Sequence, residues 1–271
     1  MIAYAYLLGW RLVRYLPENL AYKFFYAIGD YVYRKEGKGV KRLRQNLAQV
    51  SDSKGLELDK LTKDAMRSYM RYWCETFRLP DWDSKKISAS VELVDSHLLT
   101  DPLDQGKGVV VALPHAGNWD LAAAYFLNLG YRVVTVAERL KPERLFQAFL
   151  NYRKGIGLEI LSTDMRTIPA LIDRAKRGYI IALVADRDLS SNGVEVQFFE
   201  RPAKMPAGPS VIASKAEVDL IGAFITYTDN GIKIFFEKID KDVQSTANFF
   251  ERQIVKAPVD WHMLQRIWID D

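Results

Sequence analysis

The first 85 residues carry apolar side chains at helical spacing. Apolar positions recur every three or four residues over 17–35 and again over 58–82, until Pro80 interrupts the second stretch. That period places the apolar side chains on one face of a helix. We therefore expect residues 1–85 to form a mostly helical layer.

Beyond residue 92, short apolar runs replace the helical period. Runs rich in β-branched residues predict strands at 109–114, 131–137, 158–162 and 179–185, with helices at 119–130, 142–157 and 166–178 between them. Strands that alternate with helices favour a parallel sheet built from βαβ units. Two later apolar runs flank Asn230 and Gly231, a strong hairpin signal, so antiparallel strands should join late.

These patterns predict an α/β protein with a mainly parallel central sheet, flanked by helices and extended by late antiparallel strands. We expect a single domain over residues 1–271, with the helical layer in 1–85 and the α/β core in 86–271. A composition of 49% hydrophobic and 27% charged residues is typical of a globular chain and excludes disorder.

Charge is concentrated near the start of the chain. Residues 1–50 carry nine Lys and Arg against three Asp and Glu, a net charge of +6, whereas the whole chain has +4. The same segment holds ten aromatic residues, and a basic run from Arg34 to Arg44 follows them. Aromatic rings and cations together suit an anionic membrane surface, although a solvated basic helical face is the alternative.

The sequence favours neither a membrane-spanning helix nor a nucleic-acid partner. The apolar run near the start stops at Arg11, well short of the roughly 20 residues of a spanning helix. The basic residues accompany no zinc pattern or RNA-binding motif, so we expect no nucleic-acid partner.

Several common active-site chemistries also lack a motif. Cys74 is the single cysteine, which excludes an intrachain disulfide and suits a small buried side chain. The three histidines, His97, His115 and His262, lack zinc spacing, and we expect no metal and a structural role for His262. The chain has neither a G-x-S-x-G elbow nor a phosphate-binding loop. The remaining candidate chemistry is a general base that activates the substrate's own hydroxyl group.

Polar side chains follow the four predicted parallel strands. They are His115, the pair Glu138 and Arg139, residues 162–164, and the triplet Asp186, Arg187 and Asp188. Ligands of open α/β sheets bind outside the carboxyl ends of the strands. One rim of the sheet should therefore gather a histidine, carboxylates and arginines.

His115 and Asp120 lie in the stretch "LPHAGNWD", where a strand should turn into a helix. Gly117 and Asn118 allow a tight bend, so we expect the imidazole to fold back onto the Asp120 carboxylate. That contact would fix the tautomer and leave the other ring nitrogen as a general base. A capping or core histidine beside a plain helix-start acid is the alternative.

Six blocks of sequence resemble one group of enzymes. "LPHAGNWD" resembles the H-x4-D block of the glycerolipid and lysophospholipid acyltransferase superfamily. The chain as a whole resembles a narrower group, the actinobacterial phosphatidylinositol mannoside acyltransferases, which are relatives of the lipid A late acyltransferases. The blocks that carry this resemblance, in order along essentially the entire chain, are "RYWCETFRLPDW", "LPHAGNWD", "TVAERLKPERL", "ADRDL", "KMPAGPSVIA" and "PVDWHMLQRIW".

The resemblance implies an enzyme that moves a fatty acyl group, typically palmitoyl, to a mannose hydroxyl group of a phosphatidylinositol mannoside. Acyl-CoA would be the co-substrate, without a further cofactor, and the protein would be peripheral on the cytoplasmic face of the plasma membrane. A lysophospholipid or lipid A precursor as acceptor is one alternative, and a non-catalytic membrane lipid-binding protein is the other.

The resemblance also assigns roles to single residues. The H-x4-D pair carries over to His115 and Asp120, and the acidic residue that supports the histidine carries over to Asp186, where related enzymes have glutamate. The functional Glu and Arg of the family match Glu138 and Arg153, for which a structural salt bridge is the alternative.

The expected mechanism uses His115 as the base that deprotonates the mannose hydroxyl group while it attacks the thioester carbonyl. Asp120 holds the imidazole, and Asp186 assists. Backbone N–H groups near Gly117 and Asn118, or the cations Arg187 and Arg153, would meet the oxyanion.

Overall fold

Three complete helices lie in the described part of the N-terminal layer. The computed structural model describes residues 9–10, 12–137, 143–162, 166–188 and 192–270. Its first complete helices are α1 (Glu18–Lys35), α2 (Lys38–Val50) and α3 (Gly55–Arg78). Helices α1 and α2 both pack against α3, which is the longest of the three. The predicted helices over 17–35 and 58–82 are thus confirmed, and α2 begins within the basic run that follows the first of them.

Nine strands follow in the described part of the chain. They are β1 (Val91–Val94), β2 (Val109–Leu113), β3 (Val133–Ala137), β4 (Glu159–Ser162), β5 (Ile180–Val184), β6 (Val194–Phe198), β7 (Arg201–Met205), β8 (Asp219–Thr228) and β9 (Gly231–Ile239). Seven of them form one sheet in the order β1-β9-β8-β2-β5-β3-β4. The strands from β8 to β4 in that order are parallel, and β9 runs antiparallel to β8.

Helices cover both faces of this sheet. They are α4 (Ser84–Ala89), α5 (His97–Asp104), α6 (Trp119–Asn128), α7 (Glu143–Gly155), α8 (Thr167–Lys176), α9 (Gly208–Ala216) and α10 (Val243–Ile254). Two separate hydrophobic clusters result, one on each face. Strand β2 is buried along its whole length, as expected for a central parallel strand that is covered on both sides.

The predicted fold class is confirmed, with two additions. Strand β1, which the sequence pattern did not predict, pairs in parallel with β9 at the edge of the sheet. Strands β6 and β7 form a separate antiparallel pair, whereas the late antiparallel member of the main sheet is β9. Residue pairing places Leu113 beside Val184, so the carboxyl ends of β2 and β5 open on the same rim.

Candidate active site

A tight turn joins β2 to α6 and carries His115. Gly117 has φ +58° in this turn, and a Cβ atom there would lie 2.6 Å from the Ile225 side chain, so both conformation and space require glycine. The Asn118 side chain caps α6 by accepting a hydrogen bond from the Leu121 N–H group. The "HAGN" sequence therefore makes a strand-to-helix turn with the imidazole at its tip.

His115 is held by Asp186 through two contacts. The imidazole Nδ1 lies 2.6 Å from Asp186 Oδ1, and the His115 backbone N–H donates to Asp186 Oδ2 at 2.9 Å. Because an ionised carboxylate is an acceptor only, Nδ1 carries the hydrogen and Nε2 is the basic nitrogen. Nε2 makes no hydrogen bond to any residue that the structure describes, and the His115 side chain is 34% exposed. Asp186 is fully buried.

The pKa of the Asp186 carboxyl group is lowered in spite of its burial. Burial alone would raise the pKa of its carboxyl group, but the His115 ring, the Trp261 indole and the His115 backbone N–H outweigh it, and the pKa lies below its usual value. The carboxylate is thus kept charged where it can orient the ring and offset a positive charge on it.

The expected contact between His115 and Asp120 is wrong, because Asp120 is directed elsewhere. Its Oδ1 accepts from Arg153 Nε at 2.8 Å, and its Oδ2 accepts from the Tyr72 hydroxyl group at 3.0 Å. Asp120 occupies the second position of α6, where its side chain meets α3 and α7 instead of the preceding turn. Asp186 takes the place beside the imidazole.

Arg153, Asp120 and Tyr72 form a buried polar cluster. Burial alone would lower the pKa of Arg153, but the adjacent Asp120 carboxylate raises it above its usual value. Burial raises the pKa of the Tyr72 hydroxyl group, and the Asp120 charge raises it further. The cluster is therefore an ion pair with a neutral phenol donor, and it ties α7 to the start of α6.

Arg187 and His115 line one cavity, whereas the Asn118 side chain is 0% exposed. Glu138 lies outside the described residues, as do Arg139, Thr163 and Asp164. The Asn118 amide donates to Glu75 Oε2 at 2.8 Å, a buried carboxylate that also accepts from Arg71 at 2.7 Å. The Gly117 N–H donates to the Asp260 carbonyl oxygen at 3.0 Å, which takes it out of the expected set of oxyanion donors.

The C-terminal segment 258–262 contributes to the site, which sequence reasoning missed. The His262 N–H donates to the His115 carbonyl oxygen at 2.7 Å, and the Trp261 indole N–H donates to Asp186 Oδ2 at 2.9 Å. His262 Nε2 lies 2.9 Å from the Ser68 hydroxyl group. The only signal in the sequence was the block "PVDWHMLQRIW", which pointed to the family but to no contact.

A cavity of about 510 Å³ is lined by His115 and by side chains of α6 and α7. Its polar lining residues include Arg187, Asp120, Arg153 and His262. The rest of its wall is mainly apolar, from the face of the sheet that α6 covers, and includes Val111, Leu113, Ala182, Val184, Ala223 and Ile225. The volume lies in the range of small-molecule sites.

Two further features bear on candidate ligands. Within the described ranges, no group of three or more His, Cys, Asp and Glu side chains converges to hold a metal ion. None of the helices in the described ranges is long and apolar enough to cross a bilayer.

The geometry supports general-base chemistry on a substrate with an apolar chain. A histidine whose tautomer is fixed by a buried carboxylate presents its basic nitrogen to an open cavity. The apolar wall suits a hydrocarbon chain, and the polar side chains of the lining suit the atoms that react.

Comparison with known proteins agrees with this class of site. The chain matches the family of bacterial lipid A biosynthesis acyltransferases over residues 1–269. It is 37% identical, over 98% of its length and 91% of the relative's, to the phosphatidylinositol mannoside acyltransferase of Mycolicibacterium smegmatis. It is 36% identical to the phosphatidylinositol mannoside acyltransferase of Mycobacterium tuberculosis, over 99% of its length and 89% of the relative's. The chain therefore belongs to the lipid A biosynthesis acyltransferase family and is an acyltransferase.

Proposed function

We propose that this acyltransferase moves a fatty acyl group, typically palmitoyl, from acyl-CoA to a mannose hydroxyl group of a phosphatidylinositol mannoside. The observation that carries the proposal is the position of His115, which lines the mainly apolar cavity with Nε2 unbonded in the described part of the chain while Asp186 holds Nδ1. The names of the two relatives support the mannoside as the acceptor.

The acyl chain would occupy the cavity lined by α6 and α7. The lining includes Val184 at the carboxyl end of β5 and Ile180 at its start, so the cavity extends along the whole strand. Four residue steps in a strand correspond to about 13 Å. A chain bound along β5 would place its thioester at the rim, beside the imidazole.

The reaction requires one proton transfer in each direction. His115 Nε2 accepts the proton of the mannose hydroxyl group as its oxygen attacks the thioester carbonyl carbon. The imidazolium that forms is stabilised by Asp186. When the tetrahedral intermediate collapses, the C–S bond breaks and the coenzyme A sulfur takes the proton from Nε2, so an ester and free coenzyme A result.

Arg187 is the cation best placed to meet negative charge at this rim. It lines the cavity, and its Nη1 is buried without a hydrogen-bond partner in the part of the chain that the structure describes. An unpaired guanidinium N–H group can stabilise an oxyanion or bind a phosphate group of coenzyme A. Arg153 remains a second candidate, although its Nε already donates to Asp120.

The N-terminal layer would dock on the cytoplasmic face of the plasma membrane. Along α1 the large side chains Leu20, Phe24 and Tyr31 are more than half exposed, and Leu16 precedes them with the same spacing. Of the basic run, Arg34, Lys35, Lys38 and Lys41 are exposed, whereas Arg44 pairs with Glu36 and Asp59. An exposed apolar stripe beside exposed cations suits an anionic lipid surface. Tyr4 and Tyr6 lie outside the described residues.

An acceptor panel tests the proposal. Labelled palmitoyl-CoA would be offered with a phosphatidylinositol mannoside, phosphatidylinositol, lysophosphatidic acid or a lipid A precursor. We expect transfer to the mannoside alone. Equal or faster acylation of the lysolipid or the lipid A precursor would move the assignment to that acceptor, and binding of the mannoside without transfer to any acceptor would support a lipid-binding protein.

A further inference from the structure

We infer that Trp261 is a positioning residue for the reaction, because its indole N–H holds the Asp186 carboxylate in the orientation that presents Oδ1 to His115. The inference rests on the proposed function, in which Asp186 supports the base. Trp261 touches neither the reacting atoms nor the open end of the imidazole, so its effect on the reaction passes through Asp186.

The two oxygens of Asp186 have separate partners. Oδ1 faces the imidazole Nδ1 at 2.6 Å, whereas Oδ2 accepts from the His115 backbone N–H and from Trp261 Nε1, each at 2.9 Å. A carboxyl group rotates about χ2 in a broad, shallow profile, so rotamer preference alone does not fix its plane. Donors on both oxygens do fix it, and one of the two donors on Oδ2 is the indole.

Burial increases the importance of the hydrogen bond from the indole. Asp186 and Trp261 are both 0% exposed. A carboxylate that is closed off from bulk solvent relies on donors in the protein, so the loss of one donor is costly. Without the indole N–H, Oδ2 would keep only the backbone donor of His115.

The backbone of Trp261 is fixed relative to the turn that carries His115. Trp261 forms an isolated β-bridge with Ala116, the residue after His115. Hydrogen bonds on either side join the same two segments, from the Gly117 N–H to the Asp260 carbonyl oxygen and from the His262 N–H to the His115 carbonyl oxygen. The segments that carry the imidazole and the indole are thus held together, and both side chains contact the Asp186 carboxylate.

Trp261→Phe removes the N–H donor and keeps an aromatic ring, and Trp268→Phe is its matched control. Trp268 is 1% exposed, and its Nε1 donates to the Phe198 carbonyl oxygen at 2.8 Å instead of to a site residue. We expect Trp261→Phe to lower kcat roughly 10- to 100-fold, the order of one hydrogen bond to a charged group, with KM for acyl-CoA nearly unchanged. Trp268→Phe should keep the wild-type kcat.

A spectroscopic readout separates this inference from the proposed function. The His115 Nδ1–H proton, which bridges to Asp186, should give a downfield proton resonance that exchanges slowly with water. Trp261→Phe should speed that exchange and broaden the resonance, while Trp268→Phe should not. If the wild type transfers no acyl group, the proposed function fails, and the resonance still decides the positioning role.

A second variant guards against a folding defect. Replacing Trp261 by its sulfur analogue, β-(3-benzothienyl)alanine, removes the N–H group with almost no change of shape. Lower kcat and faster exchange in that protein would support the inference. Wild-type kcat and wild-type exchange of the His115 proton in the same protein would overturn it.

Discussion

Arg153 and Asp120 form an ion pair between α7 and the first turn of α6, with Nε 2.8 Å from Oδ1. The Asp120 side chain is 1% exposed and that of Arg153 is 20% exposed. A pair with so little contact with water is costly to break, because the remaining charge stays buried without its partner. We therefore expect Asp120 to stabilise the helices over the cavity and to affect the reaction only through that structure.

Asp120→Asn should destabilise the protein as well as slow the reaction. Removing one partner of a buried pair typically costs about 3 kcal/mol or more of the free energy of unfolding. Urea unfolding followed by circular dichroism would measure it. In the double variant with Arg153→Met the loss should be smaller than the sum of the two single losses, because the unpaired charge is then absent. Wild-type stability of Asp120→Asn would contradict this account of the pair.

Ala182→Leu should narrow the cavity midway along β5. Ala182 pairs with Val111 at the middle of the strand, roughly 7 Å from its carboxyl end by strand geometry. A palmitoyl chain must pass this point, whereas a butyryl chain ends before it. We expect the ratio of kcat/KM for palmitoyl-CoA to that for butyryl-CoA to fall at least tenfold, on the order of a misfit of one or two methylene groups. An unchanged ratio would place the acyl chain elsewhere.

Binding to anionic vesicles should depend on the basic run of the N-terminal layer. Gln at Arg34, Lys35, Lys38, Lys41, Arg42 and Arg44 should weaken co-sedimentation at least tenfold, since each cation at the surface contributes about 1 kcal/mol. Added salt should weaken it likewise, because the attraction is screened over ~8–10 Å in physiological salt. Transfer to a water-soluble mannoside should be spared.

The matched control removes the same number of cations from positions outside that layer. It carries Gln at Lys107, Lys176, Lys215, Lys238, Lys241 and Lys256, all of which are exposed. Its vesicle binding should stay close to wild type. If both six-fold variants bind equally well, or if salt and lipid charge have no effect, the basic run is a solvated face.

His262 should make the fold sensitive to acid. Burial lowers the pKa of its imidazole from 6.5 to about 3. Below about pH 6.5 the unfolded chain takes up a proton on His262 that the folded protein does not, so stability falls as the pH drops towards 3. The slope from this residue approaches ~1.4 kcal/mol per pH unit.

His262→Gln should remove that part of the slope. Unfolding of the wild type and the variant would be measured at pH values from about 3.5 to about 7.5, which lie within and just above this window. The difference between the two free energies of unfolding at each pH gives the contribution of His262. The loss of stability on acidification should be smaller in the variant than in the wild type. Parallel curves would mean that His262 is not kept neutral by the fold.

The sequence predicted the elements of the site better than the contacts between them. Strand β2, the turn at His115 and the rim position of Asp186 follow from local patterns and from the rule for parallel strands. The pairing of β2 with β5 does not follow from local patterns, because the order of strands in a sheet is not their order in the chain. That pairing brings Asp186, instead of Asp120, to the imidazole.

Tertiary contacts between distant segments account for what was missed. Trp261 is 75 residues from Asp186, and Tyr72 is 48 residues from Asp120. No periodicity or spacing in the chain encodes such pairs. A buried tryptophan and a helical tyrosine are ordinary core residues until the fold places a carboxylate beside each of them.

The most direct measurement is the turnover of His115→Ala in palmitoyl transfer from acyl-CoA to a phosphatidylinositol mannoside, with His97→Ala as the control at an exposed histidine. We predict a loss of roughly 10²- to 10⁴-fold in kcat for His115→Ala, the usual contribution of a general base. The variant should keep wild-type unfolding behaviour, and His97→Ala should keep wild-type turnover. A folded His115→Ala protein with near wild-type turnover would contradict the account.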